Sequence, residues 1–475
     1  MNPTKITFLG ACGTVTGSRF LIECEDDNIL IESGLFQGSR ELRSHNWDPF
    51  PFPPSEIKNI ALTHAHIDHS GYLPRLVRNG LSGKVHVTTC TRDLLEILLP
   101  DAAMLQEEDA AFYNRKKLSR HAKALPLFTS LDAKRALQLL VPHKPSRESN
   151  IGDRFTIEFI PIGHILGACM IKLTIRNDNK ETKILFSGDI GRYQVPILND
   201  PTPPPLCDIL VIESTYGDRL HVKTPSPREE LEEAVIRIVD NKGVLLIPAF
   251  AVGRTQDILY YLRTLEMDNR IPEIPVYVDS PMAIDVTGIY LSHPERFDDE
   301  LLGYIQKDKN FLNPGHFHMV RSPVESRKLN SLGGPMIIIS ASGMLTGGRI
   351  RHHLYHRISD PSTELLFVGF QAEGTRGHAL QEGAKTIHVF KEELPVRARI
   401  SSIEGFSAHA DYEEMLKWLS GIPDPPKQIF VIHGEESVRP VFAGKIKEKF
   451  FSCELVIPKL MDAFAYTDNN SSRNL

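Results

Sequence analysis

Apolar and polar residues alternate in short runs up to about residue 95, a period of two that is typical of half-buried strands. Glycine-rich turns separate these runs. Residues 91–140 are instead rich in Ala, Leu, Lys and Glu at helical spacing, and strand patterns return after them. The predicted strands are Lys5–Leu9, Arg19–Glu23, Asn28–Glu32, Asn59–Thr63, Phe155–Ile160, Cys169–Ile175 and Lys183–Phe186.

A proline-rich stretch, Asp200–Leu206, precedes a change of pattern. Beyond it, apolar strands alternate with helices, and this order predicts a doubly wound parallel sheet from about 207 to 394. The strands are predicted at 209–212, 243–248, 276–279, 336–340 and 365–369, and the helices near 227–241 and 255–265. The closing segment is predicted to hold one helix, Tyr412–Leu419, and one strand, Gln428–Ile432, before a polar tail.

Composition narrows the class of protein. With 41% hydrophobic and 24% charged residues among 475, the chain predicts folded cores rather than disorder. No apolar run approaches the roughly 20 residues of a membrane span, so no membrane anchor is expected. Six scattered cysteines without a C-x-x-C pair predict reduced thiols and a cytoplasmic location. The net charge of -6 neither indicates nor excludes a nucleic-acid partner.

The densest group of potential metal ligands follows a predicted strand, in His64-Ala65-His66-Ile67-Asp68-His69. A tight loop there would aim His64 and His66 at one ion, and Asp68 and His69 at a second. Imidazole and carboxylate together suit Zn²⁺ or a similar divalent ion. The length of the motif and its place after a strand favour a metal site over a chance cluster in a solvated loop.

Three later residues could complete two sites. His164, Asp189 and His433 each follow a predicted strand. A lone His or Asp at such a position is usually structural, so each is weak evidence by itself. Together with the histidine-rich loop they predict a two-metal centre, in which the two oxygens of Asp189 could bridge ions about 3.5–4 Å apart.

The H-x-H-x-D-H motif with a later His, Asp and His resembles the metallo-β-lactamase superfamily. The middle of the chain resembles the β-CASP nucleases: the endonuclease subunit of the cleavage and polyadenylation specificity factor, its bacterial and archaeal homologues and, more distantly, ribonuclease J. The motifs are Glu213-Ser214-Thr215-Tyr216-Gly217, Ala251-Val252-Gly253-Arg254-Thr255-Gln256, Asp279-Ser280-Pro281-Met282-Ala283, Ser340-Ala341-Ser342-Gly343-Met344 and Phe406-Ser407-Ala408-His409.

This resemblance covers about residues 5–460 and implies an α/β fold, a metallo-β-lactamase αββα sandwich with an inserted doubly wound β-CASP domain. The expected domains are 1–206, 207–394 and 395–475, the last completing the first. The family usually has Asp where this chain has Glu32. That carboxylate supports a metal-bound His, and one extra methylene could shift its geometry by about 1 Å.

The resemblance also implies the roles of the site residues. His64, His66, His164 and Asp189 would hold one zinc, and Asp68, His69, Asp189 and His433 the other; Mn²⁺ is the alternative metal. His409 would be the general acid to the leaving oxygen, oriented by Glu213, because a His held by a carboxylate has a raised pKa. A buried structural pair is the alternative for His409 and Glu213.

Phosphate contacts are expected in the predicted parallel-sheet domain. A small-residue loop after an apolar strand lets backbone N–H groups approach an oxyanion, although it could be an ordinary tight turn. The candidate contacts are Ser340, Ser342, Gly343, Thr346, Gly347, Gly348, Arg349, Arg254 and Arg376. His352, His353 and His356 could mimic a metal site, but the charges of Arg351 and Arg357 argue against one.

The sequence therefore predicts a metal-dependent phosphodiesterase that cleaves RNA, most simply single-stranded, by attack of a metal-bridging water or hydroxide on the scissile phosphate. Two alternatives stay open: a hydrolase of a lactam, thioester or lactone on the same fold, and a non-catalytic RNA-binding subunit. Endonuclease against 5′-exonuclease action, RNA against DNA, sequence preference and a possible homodimer are also open.

Overall fold

A computed structural model describes residues 4–116, 123–177, 180–221, 225–307, 311–345, 347–369, 371, 374–450, 452–466 and 473–474. The strands, in chain order, are β1 (Thr4–Phe8), β2 (Phe20–Cys24), β3 (Asp27–Ile31), β4 (Asn59–Ala61), β5 (Lys84–Thr88), β6 (Leu140–His143), β7 (Glu148–Asn150), β8 (Phe155–Pro161), β9 (Cys169–Asn177), β10 (Lys180–Phe186), β11 (Ile209–Ile212), β12 (Val244–Pro248), β13 (Pro275–Val278), β14 (His316–Met319), β15 (Met336–Ser340), β16 (Thr363–Phe367), β17 (Thr386–Val389), β18 (Glu392–Pro395), β19 (Arg399–Ser402), β20 (Gln428–Val431), β21 (Glu454–Val456), β22 (Ala463–Tyr466) and β23 (Arg473–Asn474).

The α-helices are α1 (Arg40–Ser44), α2 (Ile67–Ser70), α3 (Leu73–Arg78), α4 (Thr89–Arg115), α5 (Ser130–Leu137), α6 (Pro227–Asp240), α7 (Arg254–Met267), α8 (Pro281–Ser292), α9 (Asp299–Lys307), α10 (Pro323–Leu329), α11 (Ile350–Arg357), α12 (Arg376–Gln381), α13 (Tyr412–Leu419) and α14 (Val438–Lys449). Local chemistry starts several of them: α13 begins at a capping box in which Asp411 and Glu414 bond each other's backbone N–H groups.

The chain divides into two compact units. Unit 1 comprises residues 1–194, 200–220 and 409–475, and unit 2 comprises 195–199 and 221–408. These boundaries differ from the expected domains at two places. β11, expected in the second domain because it follows the prolines, pairs with β10 and β20 in unit 1. β19, expected in the closing domain, pairs with β16 in unit 2. The proline-rich stretch packs within unit 1 instead, where Trp418 donates a hydrogen bond to the carbonyl of Thr202.

Unit 1 is a sandwich of two sheets. Among the described residues, one sheet has the order β23-β22-β1-β2-β3-β4-β5-β6 and the other β21-β20-β11-β10-β9-β8-β7. Alternate residues of facing strands, such as Phe8 and Phe20 on one sheet and Phe186 and Phe430 on the other, form one buried core. Leu30 points to the opposite face and is also fully buried, because helices cover the outside of the sandwich.

The strands that precede the predicted ligands run in matching directions. β10, β11 and β20 are parallel to one another, and β3 is parallel to β4. β8 and β10 both run antiparallel to β9 and therefore share a direction. Carboxyl ends of parallel strands meet at one edge of a sheet, so the loops after them converge.

Unit 2 is built around a parallel sheet with the order β14-β13-β15-β12-β16-β19 within the described residues. Neighbouring residues Leu245 and Leu246 of β12 point to opposite faces, and both are buried. Helices therefore cover both faces, α10 and α11 contributing to one core cluster and α6 contacting β12 and β16. This arrangement confirms the predicted α/β fold class with a doubly wound sheet.

The closing segment contains more helices and strands than the one helix and one strand that the sequence predicts. It contains α14 as well as α13, and β21 and β22 as well as β20. Pro440 and Gly444 obscured α14 in the sequence, although Pro is tolerated in the first turn of a helix. Among the described residues, no helix combines the length and the apolar character needed to cross a bilayer.

Candidate metal centre and proton donor

The histidine-rich loop is held against its neighbours by close backbone packing. Ser18 donates its N–H to the carbonyl of Asp68, and Ser33 donates to that of His69. A Cβ on Gly34 would lie 1.6 Å from the Asp68 carbonyl oxygen, so only glycine fits there. Glu32 and His433 have left-handed φ angles of 66° and 47°, a conformation that costs energy in non-glycine residues and is concentrated at functional sites.

Three imidazoles form the first donor cluster, two from the histidine-rich loop and one from the segment after β8. Nδ1 of His66 lies 3.1 Å from Nε2 of His64 and 3.2 Å from Nε2 of His164. Nε2 atoms of His64 and His164 each lie 3.5 Å from Oδ2 of Asp189. Burial lowers the pKa of His66 to about 4 and holds that of His64 well below its usual range, so both rings are neutral ligands at neutral pH.

The second donor cluster faces the other oxygen of Asp189. Nε2 of His69 lies 3.2 Å from Oδ1 of Asp189, 3.1 Å from Nε2 of His433 and 3.6 Å from Oδ2 of Asp68. Oδ2 of Asp68 is also 3.6 Å from Nε2 of His433. Asp189 therefore presents one carboxylate oxygen to each cluster, although burial opposes its charge; His69 and His433 hold its pKa well below the usual range.

A threonine that the sequence did not single out determines the tautomer of His433. The Thr215 hydroxyl donates its one hydrogen to Oε2 of Glu213, at 2.5 Å. Its oxygen can then only accept from Nδ1 of His433, 3.1 Å away. Nε2 of His433 is left as the lone-pair nitrogen, and it is the atom that faces Asp68 and His69.

These donors fit divalent metal ions. Imidazole nitrogens bound to one tetrahedral zinc at 2.0–2.1 Å lie about 3.3–3.4 Å apart, close to the separations around His66 Nδ1. The groups His64, His66, His164 and Asp189, and separately Asp68, His69 and His433, each bring ligand atoms within 4.8 Å of one another. Several imidazole nitrogens and carboxylate oxygens gathered at this spacing are the donor set that binds a divalent cation.

Glu32 reaches His69 but at a longer distance than a hydrogen bond. Its Oε1 accepts from the Thr63 N–H at 3.1 Å and lies 3.6 Å from Nδ1 of His69. The carboxylate is buried, and burial raises its pKa even though His69 and Thr63 oppose the shift. Glu32 thus faces the side of His69 away from the donor cluster, as a supporting carboxylate would.

His409 lies beside both clusters. Its Nδ1 is 3.2 Å from Oε2 and 3.3 Å from Oε1 of Glu213, and its Nε2 is 3.9 Å from Oδ2 of Asp189. Burial opposes protonation of the ring, but the charges of Glu213 and Asp189 raise the pKa of His409 to about 9. With 21% of its side chain exposed, His409 can present a proton to a bound molecule.

Three family models match the chain. The model of the metallo-β-lactamase superfamily matches residues 13–249, that of the Beta-Casp domain matches 255–380, and that of the Zn-dependent metallo-hydrolase RNA specificity domain matches 393–457. Ribonuclease TTHA0252 of Thermus thermophilus is 36% identical over 91% of this chain and 93% of its own length. The chain belongs to the β-CASP family of the metallo-β-lactamase superfamily.

Other β-CASP relatives align over most of the chain. Transcription termination factor FttA of Methanocaldococcus jannaschii is 30% identical over 97% of this chain and 71% of its own length. An RNase J-like protein of the same organism is 30% identical over 93% and 95%. A crystal structure of a protein of unknown function from Enterococcus faecalis shares the fold, with a TM-score of 0.52, 12% identity and coverage of 98% and 100%.

In this β-CASP protein, side chains of the predicted phosphate loop make hydrogen bonds to other residues of unit 2. The Ser340 hydroxyl donates to the Asp279 carbonyl, and Arg349 donates to Asp279 Oδ1 at 2.8 Å and to the carbonyls of Val320 and Arg321. Both side chains therefore brace the loop. His353 is fully buried against Asp279 at 2.6 Å, which accounts for it without a metal.

The other residues of the predicted phosphate loop differ in how much open space surrounds them. The Gly347 Cα faces open space, whereas a Cβ on Gly348 would lie 2.4 Å from the Ala341 carbonyl oxygen. The carbonyl of Gly343 accepts from Gln371, and Ser342 is half-buried. Thr346 lies outside the described residues.

The two other predicted arginines are also bonded within unit 2. Arg254 pairs with Asp257 at 3.1 Å and is largely buried. Arg376 donates to the carbonyls of Leu345 and His388. Arg376 is half-buried.

Proposed function

We propose that this chain is a hydrolase that cleaves RNA phosphodiester bonds with two divalent ions, Zn²⁺ in preference to Mn²⁺. The observation that carries the proposal is the position of Asp189, with one oxygen toward His64 and His164 and the other toward His69. The similarity to proteins named as ribonucleases, and to a domain described as an RNA specificity domain, supports RNA as the substrate.

Bound there, the two ions supply a nucleophilic water near neutral pH and neutralise charge on the phosphate. The side chains of the protein position the site and supply the proton. Asp68 and His69 lie on helix α2, and the other candidate ligands lie in loops that follow β4, β8, β10 and β20. Pairing of these strands in their sheets fixes where the loops begin. His409 donates from Nε2 to the departing ribose oxygen, because Glu213 occupies its Nδ1.

Glu213 is anchored so that it can orient His409. Its Oε1 accepts a hydrogen bond from the N–H of Ile190 at 2.5 Å. Its Oε2 accepts hydrogen bonds from the backbone N–H and the hydroxyl of Thr215. These bonds leave the carboxylate one orientation. His409 therefore meets a fixed negative charge, which favours the protonated ring before transfer.

Labelled RNA tests the proposal directly. Zinc-loaded protein is incubated with a 5′-labelled and a 3′-labelled single-stranded oligomer, with and without a chelator, and in parallel with nitrocefin and a thioester. Cleavage of RNA that the chelator abolishes supports the proposal, and the two labels distinguish internal cuts from 5′-exonucleolytic removal. Turnover of the lactam or thioester alone, RNA binding without cleavage, or chelator-resistant cleavage would each refute it.

Metal stoichiometry tests the two-ion part separately. We expect two zinc ions per chain by elemental analysis, and a loss of more than one ion in Asp189→Ala because both clusters lose an oxygen. Asp208→Ala, in which the carboxylate that pairs with Lys427 is removed, is the control and should keep both ions. A single ion in the unaltered protein would contradict this part.

We further propose single-stranded RNA as the form bound, a reducing cytoplasmic compartment and a homodimer. All six cysteines are free thiols, which supports the compartment.

Helix α4 exposes Met104, Leu105, Phe112 and Tyr113 at 40–49%, an apolar stripe that a second copy could cover. Sedimentation of the protein and of Phe112→Glu tests the dimer, and a monomer at micromolar concentration would exclude it.

A further inference from the structure

A strained turn presents an aromatic ring on unit 2. Strands β17 and β18 pair antiparallel through Val389 and Glu392, so only Phe390 and Lys391 connect them. Their φ angles are 50° and 72°. Two positive φ values in a two-residue hairpin are the pattern of a type I′ turn, which strongly favours Asn-Gly. Phe and Lys at these positions are a costly choice for a turn alone.

The Phe390 ring is held in place yet open to solvent. The guanidinium carbon of Arg351 lies 4.7 Å from the ring centroid, and the centroid of the His352 ring is also 4.7 Å away. Tyr355 packs edge-on at 5.9 Å, and its hydroxyl donates to the carboxylate of Glu392. Phe390 nevertheless keeps 40% of its surface exposed, enough for a flat ligand to stack on it.

Cationic groups without an acidic partner surround this ring. Within the part of the chain that the structure describes, no carboxylate lies at ion-pair distance from Arg351 or Arg376. Burial and, to a smaller extent, the charge of Arg351 lower the pKa of Arg376. Lys391 is exposed at the tip of the same turn. Arg376 donates to two backbone carbonyls, which do not neutralise its charge, so the two positive charges together favour binding of an anion.

We infer that Phe390, Arg351 and Lys391 form a binding site for single-stranded RNA, in which a base stacks on the Phe390 ring and the adjoining phosphates contact Arg351 and Lys391. An exposed aromatic ring beside cations is how proteins bind single strands without sequence preference. A protein interface is usually depleted in lysine, whereas Lys391 is exposed at the tip of this turn. The inference rests on the proposed function for the class of ligand, and it adds a place where RNA is held by unit 2 itself.

Fluorescence anisotropy with a labelled oligomer tests the site. The full zinc-loaded chain carries His409→Ala in every variant to slow cleavage, and a gel confirms that the RNA is intact. The probes are 20-nucleotide oligoadenylate and oligouridylate. We expect Phe390→Ala to weaken binding about tenfold, the lower part of the range for loss of one stacked base. Phe390→Trp should restore it, because indole also stacks.

Salt dependence separates stacking from charge. Arg351→Ala should weaken binding and reduce the slope of log affinity against log salt by about 0.7, the value for one phosphate contact on a single strand. Phe390→Ala should leave that slope unchanged. It should also narrow the difference between oligoadenylate and oligouridylate, since purines stack more strongly.

Matched controls on unit 2 keep the result specific. Leu332→Ala removes another apolar side chain of 42% exposure, and Arg327→Ala removes another exposed arginine; both should change Kd less than twofold. Melting temperatures verify that each variant is folded. The inference is overturned if Phe390→Ala binds like Leu332→Ala, or if Phe390→Trp binds as weakly as Phe390→Ala. RNA cleavage by the unaltered protein would in either case still support the proposed function.

Discussion

Nδ1 of His409 lies 3.2 Å from Oε2 of Glu213, although 195 residues separate them in the chain, and Nε2 of the same ring faces Asp189 at 3.9 Å. One imidazole therefore joins a fixed carboxylate to the candidate metal centre. This placement is what a proton donor needs: one nitrogen fixed by a carboxylate and the other directed at the place where a leaving group would depart.

Removing this imidazole should slow cleavage without removing metal. For His409→Ala we expect the rate of RNA cleavage to fall by roughly 100- to 10,000-fold, the usual range for a positioned acid. Metal content by elemental analysis should stay unchanged. A p-nitrophenyl phosphodiester, whose leaving group needs no proton, should lose far less activity. Equal losses on both substrates would show that His409 does something other than protonate.

Glu32 should matter for metal affinity through His69. In Glu32→Ala, the Thr63 N–H and Nδ1 of His69 both lose the carboxylate, and we expect zinc affinity to fall by about 10- to 100-fold. Glu32→Gln keeps an oxygen for Thr63 but no charge for His69, so its loss should be smaller. Competition with a chelating dye measures both variants. Affinities equal to that of the unaltered protein would exclude a supporting role.

Gly34 tests whether close packing holds the metal loop. In Gly34→Ala, the new Cβ would lie 1.6 Å from the Asp68 carbonyl oxygen, so the loop must move. We expect a lower melting temperature and loss of zinc binding. Gly444→Ala in helix α14 meets no atom within 4 Å and should be neutral or stabilising by up to about 1 kcal/mol. Normal zinc binding in Gly34→Ala would contradict the packing argument.

A chain of neutral histidines should make unit 1 sensitive to acid. Nε2 of His86 donates to Asn59 and Nδ1 lies 2.9 Å from Nε2 of His143, whose Nδ1 is 3.0 Å from the Ser149 hydroxyl. Burial and the neighbouring His143 lower the pKa of His86 from 6.5 to about 3.

The unfolded chain binds this proton first, so stability contributed by neutral His86 is complete above pH 6.5 and is lost as pH falls from 6.5 toward 3. Between pH 7 and 5 we expect His86 to account for about 1–2 kcal/mol of lost unfolding free energy. Urea unfolding followed by tryptophan fluorescence reports on unit 1, since both tryptophans, Trp47 and Trp418, lie there. His86→Gln should flatten the pH dependence, and His45→Gln should not.

Much of the fold could be predicted from local patterns. The strand Met336–Ser340 and the helix Tyr412–Leu419 occur within the predicted bounds, because period, capping residues and turn residues are local signals. Helix α14 was missed because Pro440 and Gly444 weaken such a signal, and its stability comes from packing of Phe442 and Ile446 in the core of unit 1. The placement of β11 depended on its pairing with β10, the strand before the proline-rich stretch, and with β20, which is distant in sequence.

The sequence by itself determined which chemical groups are available: imidazoles and carboxylates after strands, in the order and spacing of a β-CASP protein. Only the tertiary structure decided which atoms meet, because parallel strands from distant segments bring their carboxyl ends to one edge. The orientation of Asp189 between two clusters, the tautomer that Thr215 imposes on His433, and the bracing role of Arg349 all depend on distances across the fold. Residue types can be read along a chain, whereas hydrogen-bond geometry exists only after burial has brought the partners together.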